Sequence, residues 1–180
     1  LHFEQRLPDG DTVKVRLEGV TDRFGNTLVE EIVALFHHFH RFDILITEIM
    51  ADPSPQVGLP DYEYVELYNT SPFTADLTGW IMEAGSNRFD LSGYKVEPGK
   101  YLLLTHKNAA LSYGDSVHVA AIFSSTTVLT NTGRQIILRN ATGEWIDAVE
   151  YSDRWYKDSY KKDGGWSLEM IDVQNPCAGI

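Results

Sequence analysis

The sequence has a single cysteine, Cys177, so no disulfide can form within it. It is also short of cations. Fifteen Lys and Arg stand against 26 Asp and Glu, a formal charge of −11, and no basic run is longer than Lys161-Lys162. A protein that tracks a nucleic-acid backbone neutralises phosphates with Lys and Arg, and an anionic membrane surface makes the same demand. Both are disfavoured as partners. No run of 18 apolar residues occurs, so this segment inserts no helix into a membrane. No signal-peptide pattern is present, and with Leu1 in place of an initiator Met the chain reads as part of something longer. The signatures of common hydrolases and nucleotide enzymes are missing too: no Gly-x-Ser-x-Gly, no His-Glu-x-x-His and no phosphate loop. Gly164-Gly165 is a doublet and not a phosphate cradle. The chain is expected not to be an enzyme and to have no catalytic residues.

What is present favours strands. Hydrophobic residues make up 43% of the sequence, enough for a real core, and nine Tyr, eight Phe and four Trp suit a pleated, half-buried surface. Residues 12–17 alternate with period two, residues 21–26 supply turn chemistry, and an apolar run from Leu28 to Phe36 comes next. Beyond the linker 37–42, short strands are predicted at Ile44–Ile49, Tyr62–Tyr68, Leu77–Met82, Tyr101–Thr105, Val117–Phe123, Gln135–Arg139 and Trp145–Tyr151. Turn residues such as Glu97-Pro98-Gly99-Lys100 and Asn140-Ala141-Thr142-Gly143 separate them. Seven short strands at this spacing describe a β-sandwich. Its expected core includes Val65, Leu67, Trp80, Leu103, Ile137 and Ile146. Trp80 and Trp145 are expected to pack, and the aromatic residues of 156–180 to pin that extension across the sandwich.

The motif order is specific. The segments DILITEIMADPSP, DYEYVELYNTS, DLTGWIM, VEPGKYLLLT and LTNTGRQIILRNATGEWIDAVEYSD, spanning residues 43–153, resemble the lamin tail domain, an immunoglobulin-like all-β sandwich. GGWSLEMIDVQNPC resembles the extension at the C-terminal side of that domain in bacterial members. The pattern strand, GVTDRFGNTL, strand in residues 1–36 resembles the closing hairpin of a bacterial Ig-like domain, most of which would lie upstream. The resemblance implies 1–36 as the end of one Ig-like domain, 37–42 as linker, 43–155 as the sandwich and 156–180 as a packed extension. It further implies a non-catalytic binding or structural module of an exported or cell-surface multidomain protein, extracytoplasmic in location. The alternative is an accessory domain that contacts substrate for an attached secreted nuclease or phosphatase. Contact with chromatin is not carried over, because this chain is acidic.

Candidate sites remain. From Arg41 to Arg88 there is no intervening Lys or Arg, yet the stretch holds Asp43, Glu48, Asp52, Asp61, Glu63, Glu66, Asp76 and Glu83. Two readings stand. One is a solvated acidic face with Glu66 between Tyr64 and Tyr68. The other is a Ca²⁺ site built from Glu48, Asp52, Glu63 and Glu66, since Ca²⁺ gathers six to eight oxygens. Trp155 and Tyr156 are candidate ligand-binding residues, because aromatic faces stack on sugars, and a protein or a cell-surface polysaccharide is the partner they suggest. His37-His38-Phe39-His40 reads as exposed linker rather than a zinc site, and His106 and His118 as surface imidazoles. Exposed strand edges invite pairing with a neighbouring chain.

Overall fold

A computed structural model describes residues 12–35 and 37–177. The expected hairpin at 1–36 therefore lies partly outside the described residues. Within them, β1 (Thr12–Thr21) and β2 (Thr27–Leu35) form an antiparallel pair. Its turn is closed by Asp22, whose carboxylate accepts from the amides of Phe24 and Asn26 at 2.8 and 3.0 Å. The chain divides into two compact units, one reaching His38 and the other starting at Phe39.

The second unit is a sandwich. Its strands are β3 (Ile44–Met50), β4 (Tyr64–Asn69), β5 (Ala75–Asp76), β6 (Ile81–Ala84), β7 (Asn87–Asp90), β8 (Lys95–Val96), β9 (Tyr101–His106), β10 (Val119–Phe123), β11 (Gly133–Arg139), β12 (Trp145–Ser152) and β13 (Leu168–Glu169). One sheet has the order β10-β9-β4-β3-β13 and the other β12-β11-β6-β7, while β5 and β8 make a small ladder of their own. The third predicted strand lies later than expected. Leu77–Trp80 is a turn in which the Trp80 amide donates to the Leu77 carbonyl, and the strand begins at Ile81. It continues through a tight turn into β7, which sequence periodicity does not reveal because only Phe89 of its four residues is buried.

Alternation explains the core. In β4 Val65 and Leu67 face the second sheet, and in β9 Leu102 and Leu104 do so, where they meet Met82, Ile136 and Leu138. Trp80 is 4% exposed and packs edge-on to Phe39 with ring centroids 5.5 Å apart. Truncating a fully buried Leu or Met of this set to Ala costs about 2–5 kcal/mol. All six expected core residues are buried. Ile137 and Leu103, however, lie outside that core: Ile137 alternates with Ile136 and Leu138 onto the outer face of its sheet, and Leu103 points out of the sandwich, where Met50, Tyr64 and Tyr113 enclose it. That outer cluster exists because β10 runs parallel to β9, so the connection at 107–118 must cross a sheet face.

The rims of the sandwich are closed in different ways. On one side Phe89 of the four-stranded sheet meets Phe123 of the five-stranded sheet, ring centroids 4.9 Å apart. On the other, β12 approaches β3: the Phe42 amide donates to the Ile146 carbonyl at 2.8 Å, and the Ile46 amide donates to the Asp147 carboxylate, also at 2.8 Å.

Candidate functional site

The rim where β12 approaches β3 carries a groove. Asp147 is buried although it lies on β12, and burial raises its pKa against the pull of its hydrogen bonds. One carboxylate oxygen accepts from Ile46 of the opposing sheet and the other from Ala148 of its own strand, both at 2.8 Å. Beyond that bridge a groove of about 860 Å³ runs between β12 and the C-terminal segment. Ala148, Glu150 and Ser152 of β12 and Leu168 to Ile171 of the C-terminal segment line it, together with Trp155 and Lys157.

Local sequence sets the position of Trp155. Ser152 ends β12 and accepts the Arg154 amide at 3.3 Å, which starts a single 3-10 turn over Asp153–Tyr156. The turn stops at Lys157, whose φ of 51° is left-handed. Trp155 is left 48% exposed over the groove. Tyr156 points elsewhere: its hydroxyl donates to the Trp166 carbonyl at 2.6 Å, and burial pushes it up to about 12. The structure thus separates the two expected ligand-binding aromatics. Trp155 borders the groove, and Tyr156 holds the extension in place.

The extension is also held by the glycine doublet. Gly164 and Gly165 have φ of 111° and 79°, and the Gly165 amide donates to the Asp52 carbonyl at 2.8 Å. A Cβ on either glycine would collide with the backbone carbonyl of Ser54 or Pro55. This close crossing brings β13 beside β3, with Leu168 opposite Ile49 and Glu169 opposite Glu48.

The four carboxylates expected to gather round Ca²⁺ fall into two pairs. Glu63 and Glu66 are three residues apart on an extended chain and therefore face opposite sides. Glu66 is the cross-strand partner of Glu48, which in turn faces Glu169, so three acids line up across β4, β3 and β13. Thr47 donates its hydroxyl to Glu66 at 2.7 Å, and the Tyr64 hydroxyl bonds to Glu48. Burial, opposed by the Thr47 bond, raises Glu66, and Glu48 and Glu169 add to the rise. Glu63 lies on the inner side, 4% exposed. One of its oxygens accepts from the amides of Val128 and Leu129 at 2.5 and 2.7 Å. Burial pushes it up to about 7 despite those bonds, with Asp52 adding to the rise and Arg134 opposing it. Asp52 is engaged by the Asn131 amide nitrogen at 2.5 Å. Among the described residues no three His, Cys, Asp or Glu side chains are placed to hold a metal.

Other expectations need correction. Tyr64 is not on an exposed face; the 107–118 connection covers it, with Tyr113 edge-on at 6.0 Å. His106 is buried, stacks on Tyr62 at 6.0 Å and accepts the Asn108 amide at 3.2 Å. Trp145 is 46% exposed, with the Arg139 guanidinium 5.2 Å from its ring centre, because its residue is offset by the bulge opposite Leu138 and Arg139. Cys177 is exposed. Sequence reasoning missed Asp147 and the buried role of Glu63. The available signal was an acid inside an otherwise apolar strand, as in Ile146-Asp147-Ala148-Val149.

Two packed antiparallel-rich sheets joined in this order define an immunoglobulin-like β-sandwich. The family model described as Lamin Tail Domain matches residues 40–153, and the chain belongs to that family of non-catalytic modules. No curated protein matches the chain.

Proposed function

We propose that this chain is a binding module of an exported or cell-surface multidomain protein, with its ligand contact in the groove around Trp155. The observation that carries this reading is an exposed indole at the mouth of a groove. A partly apolar groove with an aromatic ring and a few polar groups converging on it is the usual form of a binding site. The separate compact unit that holds the β1–β2 hairpin supports a multidomain setting. A protein or a surface polysaccharide is the partner class, and the charge of −11 argues against nucleic acid.

The test is ¹⁵N-resolved NMR of the chain against a panel of extracted cell-surface glycans and protein digests. Binding is expected to move the amides of 148–157 and 168–171, and Trp155→Ala is expected to abolish it with the spectrum otherwise preserved. A panel that moves no groove amide would remove the reading. The accessory role beside a secreted nuclease or phosphatase is the second reading. It is favoured if the groove answers to that enzyme's polymeric substrate.

A further inference from the structure

Granted that the groove is a binding site, the backbone along it narrows the class of ligand. β12 is the outermost strand of its sheet. Along a strand the peptide groups of alternate residues turn to the same side. Past the bulge at Ile146, the Gln135 carbonyl opposite Glu150 turns to Gly85 on the other side of β11, and the Asp153 amide turns in to the Thr132 carbonyl, so the even-numbered residues of β12 turn away from β11. Ala148, Glu150 and Ser152 therefore turn the same way, into the groove. The Ala148 amide is taken by Asp147. The amides of Glu150 and Ser152 have no hydrogen-bond partner among the described residues. A short exposed strand edge with free amides, walled by apolar Leu168 and Met170, is the geometry to which an extended chain adds as a further strand.

We propose that β12 receives an extended segment of a partner protein as an added strand, with a lysine or arginine of that segment opposite Glu150; this rests on the binding-module reading of the groove. The charge of the segment comes from Glu150, the exposed acid of this edge; of the cations lining the groove, Arg134 is held by the Ala84 and Val128 carbonyls and Lys157 closes the turn after β12. A second copy of this chain fits poorly. Antiparallel self-pairing that uses the free positions must centre on Glu150 and so set Glu150 against Glu150. Centring on Ala148 is blocked by the Phe42–Ile146 bond, and centring on Ser152 by the 3-10 turn next to it. Like charges directly opposite are destabilising, and each chain carries −11. A polysaccharide fits less well than a peptide, because the groove offers one exposed ring. Tyr151 is buried, and the polar heads of Asp147 and Arg134 are committed to backbone groups.

The probe is a blocked peptide of sequence Thr-Val-Lys-Val-Thr-Val, titrated into the ¹⁵N-labelled chain. Two control peptides accompany it, one N-methylated at its central valine and one with Glu in place of Lys. The expected result is a downfield shift of the Glu150 amide, with affinity about tenfold weaker for each control. Glu150→Pro should weaken binding to a similar degree. Proline is tolerated where an edge amide faces outward, and circular dichroism reports whether the variant folds. The N-methyl control needs no change to the protein, so the test holds even if that variant fails to fold. Equal affinity for the parent and N-methylated peptides would mean charge attraction alone and would overturn the proposal. So would no binding at millimolar peptide, a doubled mass in light scattering that Glu150→Pro abolishes, or glycans that shift the Glu150 amide when the peptide does not. If Trp155→Ala removes glycan binding while Glu150→Pro does not, the strand proposal falls and the binding-module reading stands. If no ligand moves any groove amide, both fall.

Discussion

Asp147 on β12 joins the Ile46 amide of the facing sheet to the Ala148 amide of its own strand, with both hydrogen bonds at 2.8 Å. One carboxylate thus satisfies two edge amides at the point where the rims meet. Replacing it with Ala leaves the Ile46 amide buried and unpaired, which costs about 1–3 kcal/mol. Asp147→Ala should lower the urea midpoint accordingly. Asp147→Asn, which keeps one accepting oxygen, should lose less. Equal losses for the two variants would show that the paired acceptors are not the source of the effect.

Glu63 predicts a pH dependence with a definite sign. Its folded pKa is raised to about 7 from 4.5. The folded chain therefore binds the proton more tightly than the unfolded chain. Its stabilising contribution is complete below pH 4.5 and is lost as pH rises through 7, by roughly 3 kcal/mol at most. Asp147 is shifted in the same direction, so the quantity to measure is the difference between wild type and Glu63→Gln. Unfolding free energies at intervals from pH 5 to 8 should show wild type losing its advantage as pH rises. A difference that does not change with pH would contradict this assignment.

The glycine doublet is expected to be intolerant. Gly164→Ala places a methyl against the Ser54 carbonyl and Gly165→Ala against the Pro55 carbonyl, both at positive φ. Either change should cost upwards of about 2 kcal/mol, because backbone must move to relieve the overlap. Limited proteolysis should cut first within 163–171 if the extension is released. Gly143→Ala is the control: its φ is also positive, at 84°, but a Cβ there meets nothing within 4 Å. It should lose about 1 kcal/mol and leave the cleavage pattern intact.

The row Glu66, Glu48, Glu169 places like charges across neighbouring strands. Glu169→Lys should raise stability by about 0.2–1 kcal/mol, since opposite charges across a ladder attract. The gain should shrink in 1 M NaCl, where screening is short-ranged. Millimolar CaCl₂ should leave the melting midpoint of wild type unchanged, because Glu63 and Asp52 are occupied elsewhere in the fold. A clear upward shift with Ca²⁺ would mean that the two pairs of acids can be brought together.

The β-rich sandwich was legible in the sequence wherever local pattern decided the outcome. Val65 and Leu67 alternate with Glu66 and Tyr68, and that period alone sets their faces. Leu103 shows the limit: three consecutive leucines give no alternation, and the middle one is buried only because a later connection crosses above it. β13 escaped notice because two residues make no pattern, and its pairing with β3 depends on Gly164 and Gly165 crossing residues more than a hundred positions earlier. The candidate sites were less legible for the same reason. Acid density marked Glu48, Asp52, Glu63 and Glu66 as one group, but which acids share a face is set by strand register. Asp147 looks like an ordinary surface acid until Ile46 is beside it.

The attachment of β13 also has a mechanical meaning. Only two residue pairs join it to β3, with the Met170 amide on the Thr47 carbonyl, the Gly165 amide on the Asp52 carbonyl and the Tyr156 hydroxyl on Trp166 as further ties. The sandwich behind it is held by long ladders and a shared core. Tension applied at Cys177 is therefore expected to peel residues 164–177 away before β3 to β12 separate. Stripping that segment removes one wall of the groove beside Trp155, so a ligand bound there as proposed should be released under load.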